Sequence, residues 1–337
     1  MSCEFNGIYP QERKKIGLIK SAGQFIAYDG EAPEIFSQPL VISGDNNGNK
    51  EGIKSGGRSA IIGRYKIKGC NPEEGKDYDG EPFGGMSPKK CLNELDSSKR
   101  VSDKYEEYGF AAPLVPLGRF EYEMQFNGKP VSCAILKCSG DTRISEAEVK
   151  LSSLYQRHPE LWNYGYLDAI LSGVAAWVGF DQRVLQEAEV APAENSFDIN
   201  NYVLYRVSGN GYGAARVDLS SALNGSESRK TLEKKKEFDL KEITRMPGVV
   251  CDVQIAKDFG FSYKDIRRGS HKGMGIELVV SNIEKEWKEE NENMITLHVN
   301  EKRFEWSNNI RETYLKYVEG MDAPEPIDEK IIHPLFC

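Results

Sequence analysis

Short apolar or alternating runs dominate the first 140 residues: Pro39–Gly44 (PLVISG), Ser59–Gly63 (SAIIG), Tyr65–Gly69 (YKIKG), Arg119–Phe126 (RFEYEMQF) and Val131–Cys138 (VSCAILKC). Gly, Asn, Asp and Pro separate them, so the pattern predicts strands joined by turns. One segment departs. In Ser87–Leu95 (SPKKCLNEL) a serine suited to capping precedes a proline suited to the first helical position, and Cys91, Leu92 and Leu95 form a stripe, which predicts a helix. From about Glu146 the period becomes helical: Val149, Leu151, Leu154 and Tyr155, then Leu167, Ile170, Leu171, Val174, Ala175 and Val178. Two strand-like runs, Asn201–Val207 and Ala214–Leu219, interrupt it around the Gly-rich turn Ser208–Gly213 (SGNGYG). The charged stretch Arg229–Arg245 and the proline-punctuated tail Ala323–Phe336 both read as surface. No repeat of fixed period recurs. The pattern predicts an α+β chain: a β-rich lobe with one main helix over residues 1–138, then a mainly helical lobe over 139–337.

Composition narrows the class. With 337 residues, 39% apolar and 28% charged, the chain belongs with globular proteins that build a sizeable core. A formal net charge of −8 disfavours non-specific grip on a polyanion, so nucleic acid is not an expected partner, although a local basic pocket remains compatible with it. No window approaches the roughly 18 apolar residues of a membrane span, and the opening MSCEFNGIYPQERKK lacks the apolar centre of a signal peptide. No membrane contact and a cytoplasmic location are expected. Seven scattered cysteines without a C-x-x-C, and four histidines without short ligand spacing, argue against a disulfide framework or a zinc knuckle.

A β-rich lobe with one helix, followed by a helical lobe that opens on a small hairpin, is the layout of a protein-kinase-like fold. Transfer from ATP then requires cations on the phosphates, a carboxylate that fixes the key lysine, and oxygen ligands for Mg²⁺. Lys66 and Lys68 lie on one face of their strand, and alternation does not choose between them. Glu94 sits beside the apolar stripe of the one helix. Asp198, Asn200 and Asn201 precede one strand of the hairpin, and Asp218 ends the next. Taken singly, such residues are ordinarily solvated charges or turn formers. Their order along the chain is what selects them.

The run Ser43–Gly63 (SGDNNGNKEGIKSGGRSAIIG), followed by Tyr65–Pro72 (YKIKGCNP), resembles the selenoprotein O family, whose members carry S-G-H-Q-F-G, G-D-G-R-A-I-x-L-G and L-K-G-A-G in that order. The similarity continues through Asp79–Glu81 (DGE), Cys91–Leu95 (CLNEL, against S-E-A), Tyr108–Pro113 (YGFAAP, against L-G-I-P-T-T) and Cys133–Ile144 (CAILKCSGDTRI, against R-V-A-P-S-x-I-R). It resumes at Trp177–Phe180 (WVGF) and Asp198–Asn201 (DINN, against N-T-D-N). These spaced short motifs cover about residues 40–220, and the last third carries none. Members of that family are kinase-fold protein adenylyltransferases that bind ATP in a flipped orientation and transfer AMP.

The resemblance implies Lys68, just before Gly69, on the phosphates, with Glu94 as its ion-pair partner. It implies Asn201 and Asp218 as ligands of Mg²⁺ or Mn²⁺, and Arg143 as a phosphate contact. Gly56, Gly57 and Arg58 take the place of a phosphate-binding G-D-G-R. The family's acid falls on Asn200, which cannot accept a proton as a carboxylate does, leaving Asp198 as the nearby base. The chain is also far shorter than typical members and ends in a lone Cys337, where many of them carry a redox-active pair. The expected function is ATP- and metal-dependent transfer of AMP to a hydroxyl side chain of a protein acceptor. The alternatives are a kinase that transfers the γ-phosphoryl group to a protein, peptide or small molecule, and an inactive nucleotide-binding pseudokinase that acts as an interaction module.

Overall fold

The alternating runs pair into one antiparallel six-stranded sheet. Its strands are β1 (Ala22–Ala27), β2 (Ile53–Lys54), β3 (Ser59–Ile62), β4 (Tyr65–Lys68), β7 (Leu114–Phe126) and β8 (Lys129–Cys138), in the order β1-β7-β8-β4-β3-β2. Two short strands, β5 (Asp77–Tyr78) and β6 (Glu81–Pro82), form a separate ladder. The computed structural model describes residues 22–30, 33–36, 53–54, 59–70, 77–78, 81–82, 84–126, 128–140, 142–144, 150–151, 154, 157–197, 201–244 and 305–336. The predicted run Pro39–Gly44 and the predicted helical positions Val149 and Tyr155 lie outside them.

One face of the sheet carries an apolar core of Phe36, Ala60, Ile62, Ile67, Cys70, Phe120, Tyr122, Val131, Cys133 and Ile135. Phe36 stacks on Phe25 at 5.4 Å between centroids and meets Tyr65 edge-on at 5.1 Å. Gly118 lets β1 approach β7 this closely, because a Cβ there would lie 2.4 Å from the Ile26 carbonyl oxygen. Strand alternation sends Ile67 into this core and turns Lys66 and Lys68 to the opposite face.

That opposite face meets α1 (Pro88–Glu107), which packs on β7 and β8. Ser87 Oγ accepts a hydrogen bond from the Lys90 amide at 3.3 Å, and Pro88 takes the first helical position, as the sequence predicts. The helix runs well past Leu95 because its inner face continues as Ser97, Ser98, Val101, Ser102 and Tyr105, all buried. Buried serines carry no hydrophobic period, so the pattern fades before the helix ends.

The chain divides into two compact units. The first holds residues 1–142, 184–209 and 215–233, and the second holds 143–183, 210–214 and 234–337. Besides the sheet and α1, the first unit includes β11 (Tyr202–Ser208) and a small ladder of β10 (Val190–Ala191) with β13 (Leu223–Asn224).

In the second unit the core element is α2 (Tyr164–Glu187), whose predicted stripe of Leu167, Ile170, Leu171, Val174, Ala175 and Val178 is buried together with Trp177 and Phe180. Trp177 Nε1 donates to the Glu325 carbonyl at 3.1 Å, and Tyr166 Oη donates to Ile331 at 2.7 Å. These bonds correct the reading of the tail as surface: Ile327, Ile332 and Leu335 are buried there, the last two on a short helix, Glu329–Phe336. The charged stretch is at the surface over Arg229, Lys230, Glu233, Lys234, Glu237 and Lys241, and is corrected at two positions. It forms α3 (Ser228–Ile243), and Lys235 and Asp239, one turn apart, are buried as an ion pair. Mutual neutralisation lets a charged pair enter an interior that either charge alone would avoid.

The four cysteines among the described residues, Cys70, Cys91, Cys133 and Cys138, are buried. Among the described residues no helix is long and apolar enough to cross a membrane.

Candidate functional site

Strand β4 delivers Lys68 to the α1 face between two small cross-strand neighbours, Ser59 on β3 and Ala134 on β8. Bulkier residues there would fill the space its side chain crosses. The next residue, Gly69, has φ +81°, and a Cβ on it would lie 2.7 Å from Met86 Cγ and 3.0 Å from the Ser132 carbonyl oxygen. Only glycine turns the chain out of the strand at this point. The Lys-Gly pair is therefore a local structural requirement as well as a motif.

Lys68 Nζ spends its three donors on three acceptors: Glu94 Oε2 at 2.7 Å, Asp218 Oδ1 at 3.0 Å and the Val217 carbonyl at 3.4 Å. Glu94 comes from the inner face of α1, and Asp218 follows β12 (Gly211–Arg216). The same Glu94 oxygen accepts the Leu219 amide at 3.2 Å, so α1 grips the backbone next to Asp218. Ser220 Oγ donates to Asp218 Oδ1 at 3.3 Å. Three distant segments of the first unit thus converge on one ammonium group. Lys66, left as an equal candidate by alternation, is also buried; it is Lys68 that reaches both carboxylates.

Exposure grades across the cluster: the side chain of Glu94 is 0% exposed, that of Lys68 11% and that of Asp218 27%. Glu94 is a sealed anchor and Asp218 presents its carboxylate to solvent. Burial is the largest influence on Lys68 and pulls its pKa down, but the carboxylates of Asp218 and Glu94 override it and hold the ammonium above its ordinary value. Burial likewise dominates at Glu94 and pushes it up, with Asp218 adding to the effect and Lys68 opposing it. One cation shared by two carboxylates cannot satisfy both. Glu94 Oε1 accordingly finds no hydrogen-bond donor among the described residues.

Asn201 sits at the entry to β11, and its backbone carbonyl accepts the Val217 amide at 3.0 Å, which ties it to the strand that ends in Asp218. Its side-chain nitrogen donates to the Ser196 carbonyl at 2.9 Å, leaving the amide oxygen directed away from that bond. The same Ser196 carbonyl accepts from Arg216, a buried side chain whose guanidinium also lies 5.8 Å from the centre of the Tyr202 ring. Arg216 was not legible as a site residue. Its partner is a backbone carbonyl twenty residues away, and no motif records such a bond.

The remaining expected residues fall elsewhere. Arg143 closes β9 (Thr142–Arg143) and belongs to the second unit. Gly56, Gly57, Arg58, Asp198 and Asn200 lie outside the described residues.

Among the described residues no group of three or more His, Cys, Asp or Glu side chains forms a ready metal cage. Mg²⁺ at a nucleotide site does not need one, because it is commonly held by one or two protein oxygens together with phosphate oxygens and water. A partly exposed carboxylate on Asp218 with a lysine beside it, and the amide oxygen of Asn201, whose nitrogen is used on Ser196, match that donor set. No protein-family model matches the chain, and a search of curated proteins finds no significant match.

Proposed function

We propose that the chain is an ATP- and metal-dependent transferase of protein-kinase-like, two-lobed architecture, and that it moves AMP from ATP to a hydroxyl side chain of a protein acceptor, with pyrophosphate as the leaving group. The observation that carries this reading is the bridging of Lys68 to both Glu94 and Asp218. These are the lysine, the helix glutamate and the aspartate after the hairpin that the resemblance to selenoprotein O assigns to nucleotide binding. Random pairing of surface charges does not bring three such positions, from strand, helix and post-hairpin turn, onto one nitrogen.

In this reading Glu94 aims Lys68, and Lys68 neutralises phosphate charge that increases in the transition state. Asp218 and Asn201 would hold Mg²⁺ or Mn²⁺, which when bound supplies Lewis-acid stabilisation of the phosphate oxygens. Asp198 would orient the acceptor hydroxyl and take its proton, in place of the Asn200 amide, which has no basic lone pair. Transfer of the γ-phosphoryl group is the second reading, because a lysine–glutamate–aspartate cluster serves either phosphorus.

Parallel reactions with ATP labelled on the α or the γ phosphorus, a generic protein acceptor, and Mg²⁺ or Mn²⁺ test the proposal. Retention of α label on protein, abolished by Asp218→Ala, is the expected result. Retention of γ label alone would make the chain a kinase. Transfer of neither label would leave a nucleotide-binding protein at most.

A further inference from the structure

We infer that Asn93 is a positioning residue, which locks the turn after Asp218 onto α1 and so holds the Asp218 carboxylate where a metal would meet it. The inference rests on the proposed ATP and metal site.

A primary amide has two N–H donors on nitrogen and an acceptor oxygen, and Asn93 uses all three functions on one short segment. Its nitrogen donates to the carbonyl of Ser220 at 3.2 Å and to that of Ala222 at 2.9 Å. Its oxygen accepts from Asn224 Nδ2 at 3.0 Å. Asn224 Oδ1 in turn accepts from Ser97 Oγ, one helical turn along α1, at 3.3 Å. The network is part-buried, where an unmade bond costs more than at the surface.

The clasp reaches Asp218 through Ser220. Ser220 is held at both ends: its carbonyl by Asn93, and its hydroxyl by the bond that it donates to Asp218 Oδ1 at 3.3 Å. Leu219, between them, is held by Glu94 at 3.2 Å and closes a turn by accepting the Ala222 amide at 3.0 Å. Beyond the turn, Leu223 and Asn224 pair with Ala191 and Val190 in the small ladder. Asn93 is adjacent to Glu94 on α1. The helix therefore fixes the lysine partner and the metal-side turn with neighbouring residues, so that a shift of α1 would displace both together. No other side chain of similar size replaces it: aspartate lacks the donors and would face two carbonyl oxygens, and alanine leaves those carbonyls without their donor.

The test uses the full chain and compares wild type, Asn93→Asp and Asn224→Ala. ATP binding is measured by calorimetry with Mn²⁺ and again with a chelator, so that the increment due to metal is read separately. Urea unfolding and amide exchange over residues 219–224 are followed on ligand-free samples. Asn93→Asp is expected to reduce the metal-dependent increment in affinity by about tenfold or more, the scale seen when a partner that orients a metal ligand is removed. Its metal-free ATP affinity should stay unchanged, and exchange of 219–224 should accelerate. Asn224→Ala, which removes the bond that orients the Asn93 amide and the one from Ser97 Oγ but leaves both Asn93 donations to the turn in place, should move the same quantities less. A purely structural clasp would shift the urea midpoint and leave the metal increment intact, and that result overturns the inference. Unaltered exchange in both variants would overturn it as well. A wild type that binds ATP with no metal increment would overturn the ATP and metal reading itself, and this inference with it.

Discussion

Two lysines among the described residues, Lys235 buried and Lys68 part-buried, face aspartates in opposite ways. Lys235 and Asp239 stand one turn apart on the same helix in the second unit, with side chains 0% and 2% exposed. Lys68 meets Asp218 across a sequence separation of 150 residues, pairs with a second carboxylate, Glu94, and sits in a graded opening to solvent. The first pair is local and internally neutral, which is what burial demands. The second arrangement sets one ammonium against two carboxylates, and Glu94 Oε1 has no hydrogen-bond donor among the described residues. Two carboxylates on one lysine, long sequence separation and partial exposure together motivate the binding site proposed above.

This contrast can be broken experimentally, and the largest effect should come first. Replacing Lys68 by methionine or Asp218 by alanine should lower label transfer from ATP by about 10²–10³-fold, the range found when one charge-stabilising group is lost from a transition state. Measured under the same conditions, the double variant Lys235→Met/Asp239→Leu should transfer as the wild type does.

Stability should show the reverse emphasis. Lys235→Met alone removes the buried cation paired with Asp239 and should cost about 3–5 kcal/mol in urea unfolding, and adding Asp239→Leu should recover most of the loss. No such recovery of function is open to the Lys68 cluster.

Gly69→Ala should destabilise by about 1–3 kcal/mol, because the backbone there is left-handed and the new methyl group would meet Met86 and the Ser132 carbonyl. Thermal unfolding of this variant with and without Mg²⁺ and ATP sharpens the comparison, since residual binding would show that the cluster survives a strained strand end.

The smallest expected effect is in the pH dependence. The pKa of Glu94 is raised in the folded state, so that state binds its proton more tightly than the unfolded chain does. Stability from this group is therefore greatest below the ordinary value of 4.5 and declines as pH rises from there through the raised value. Lys68 is raised as well, so its contribution is complete below the ordinary 10.5 and is lost only as pH climbs through its folded value. Urea midpoints followed upward from about pH 4 should decline less in Glu94→Gln than in wild type.

Much of the first unit was legible because its signals are local. Ser87 and Pro88 announce the start of α1, and the runs at Ser59–Ile62, Tyr65–Lys68 and Val131–Cys138 pair as strands. The choice between Lys66 and Lys68 was not legible by alternation, since both face α1, and only the reach to Glu94 and Asp218 separates them. Charge count also failed to show which face of α3 is buried, because Lys235 enters the interior only together with Asp239. Asn93 and Arg216 were silent for a shared reason. Each acts through backbone carbonyls far away in sequence, and a carbonyl is present at every residue.

The central claim, that Lys68, Glu94 and Asp218 form a metal-dependent nucleotide site, is tested most directly by calorimetric titration of ATP into wild type, Asp218→Ala and Lys235→Met/Asp239→Leu, each with and without Mg²⁺. Metal-dependent binding in wild type and in the second-unit variant, absent from Asp218→Ala, is the result the account predicts. Binding that ignores Mg²⁺ in the wild type, or that survives intact in Asp218→Ala, would contradict it.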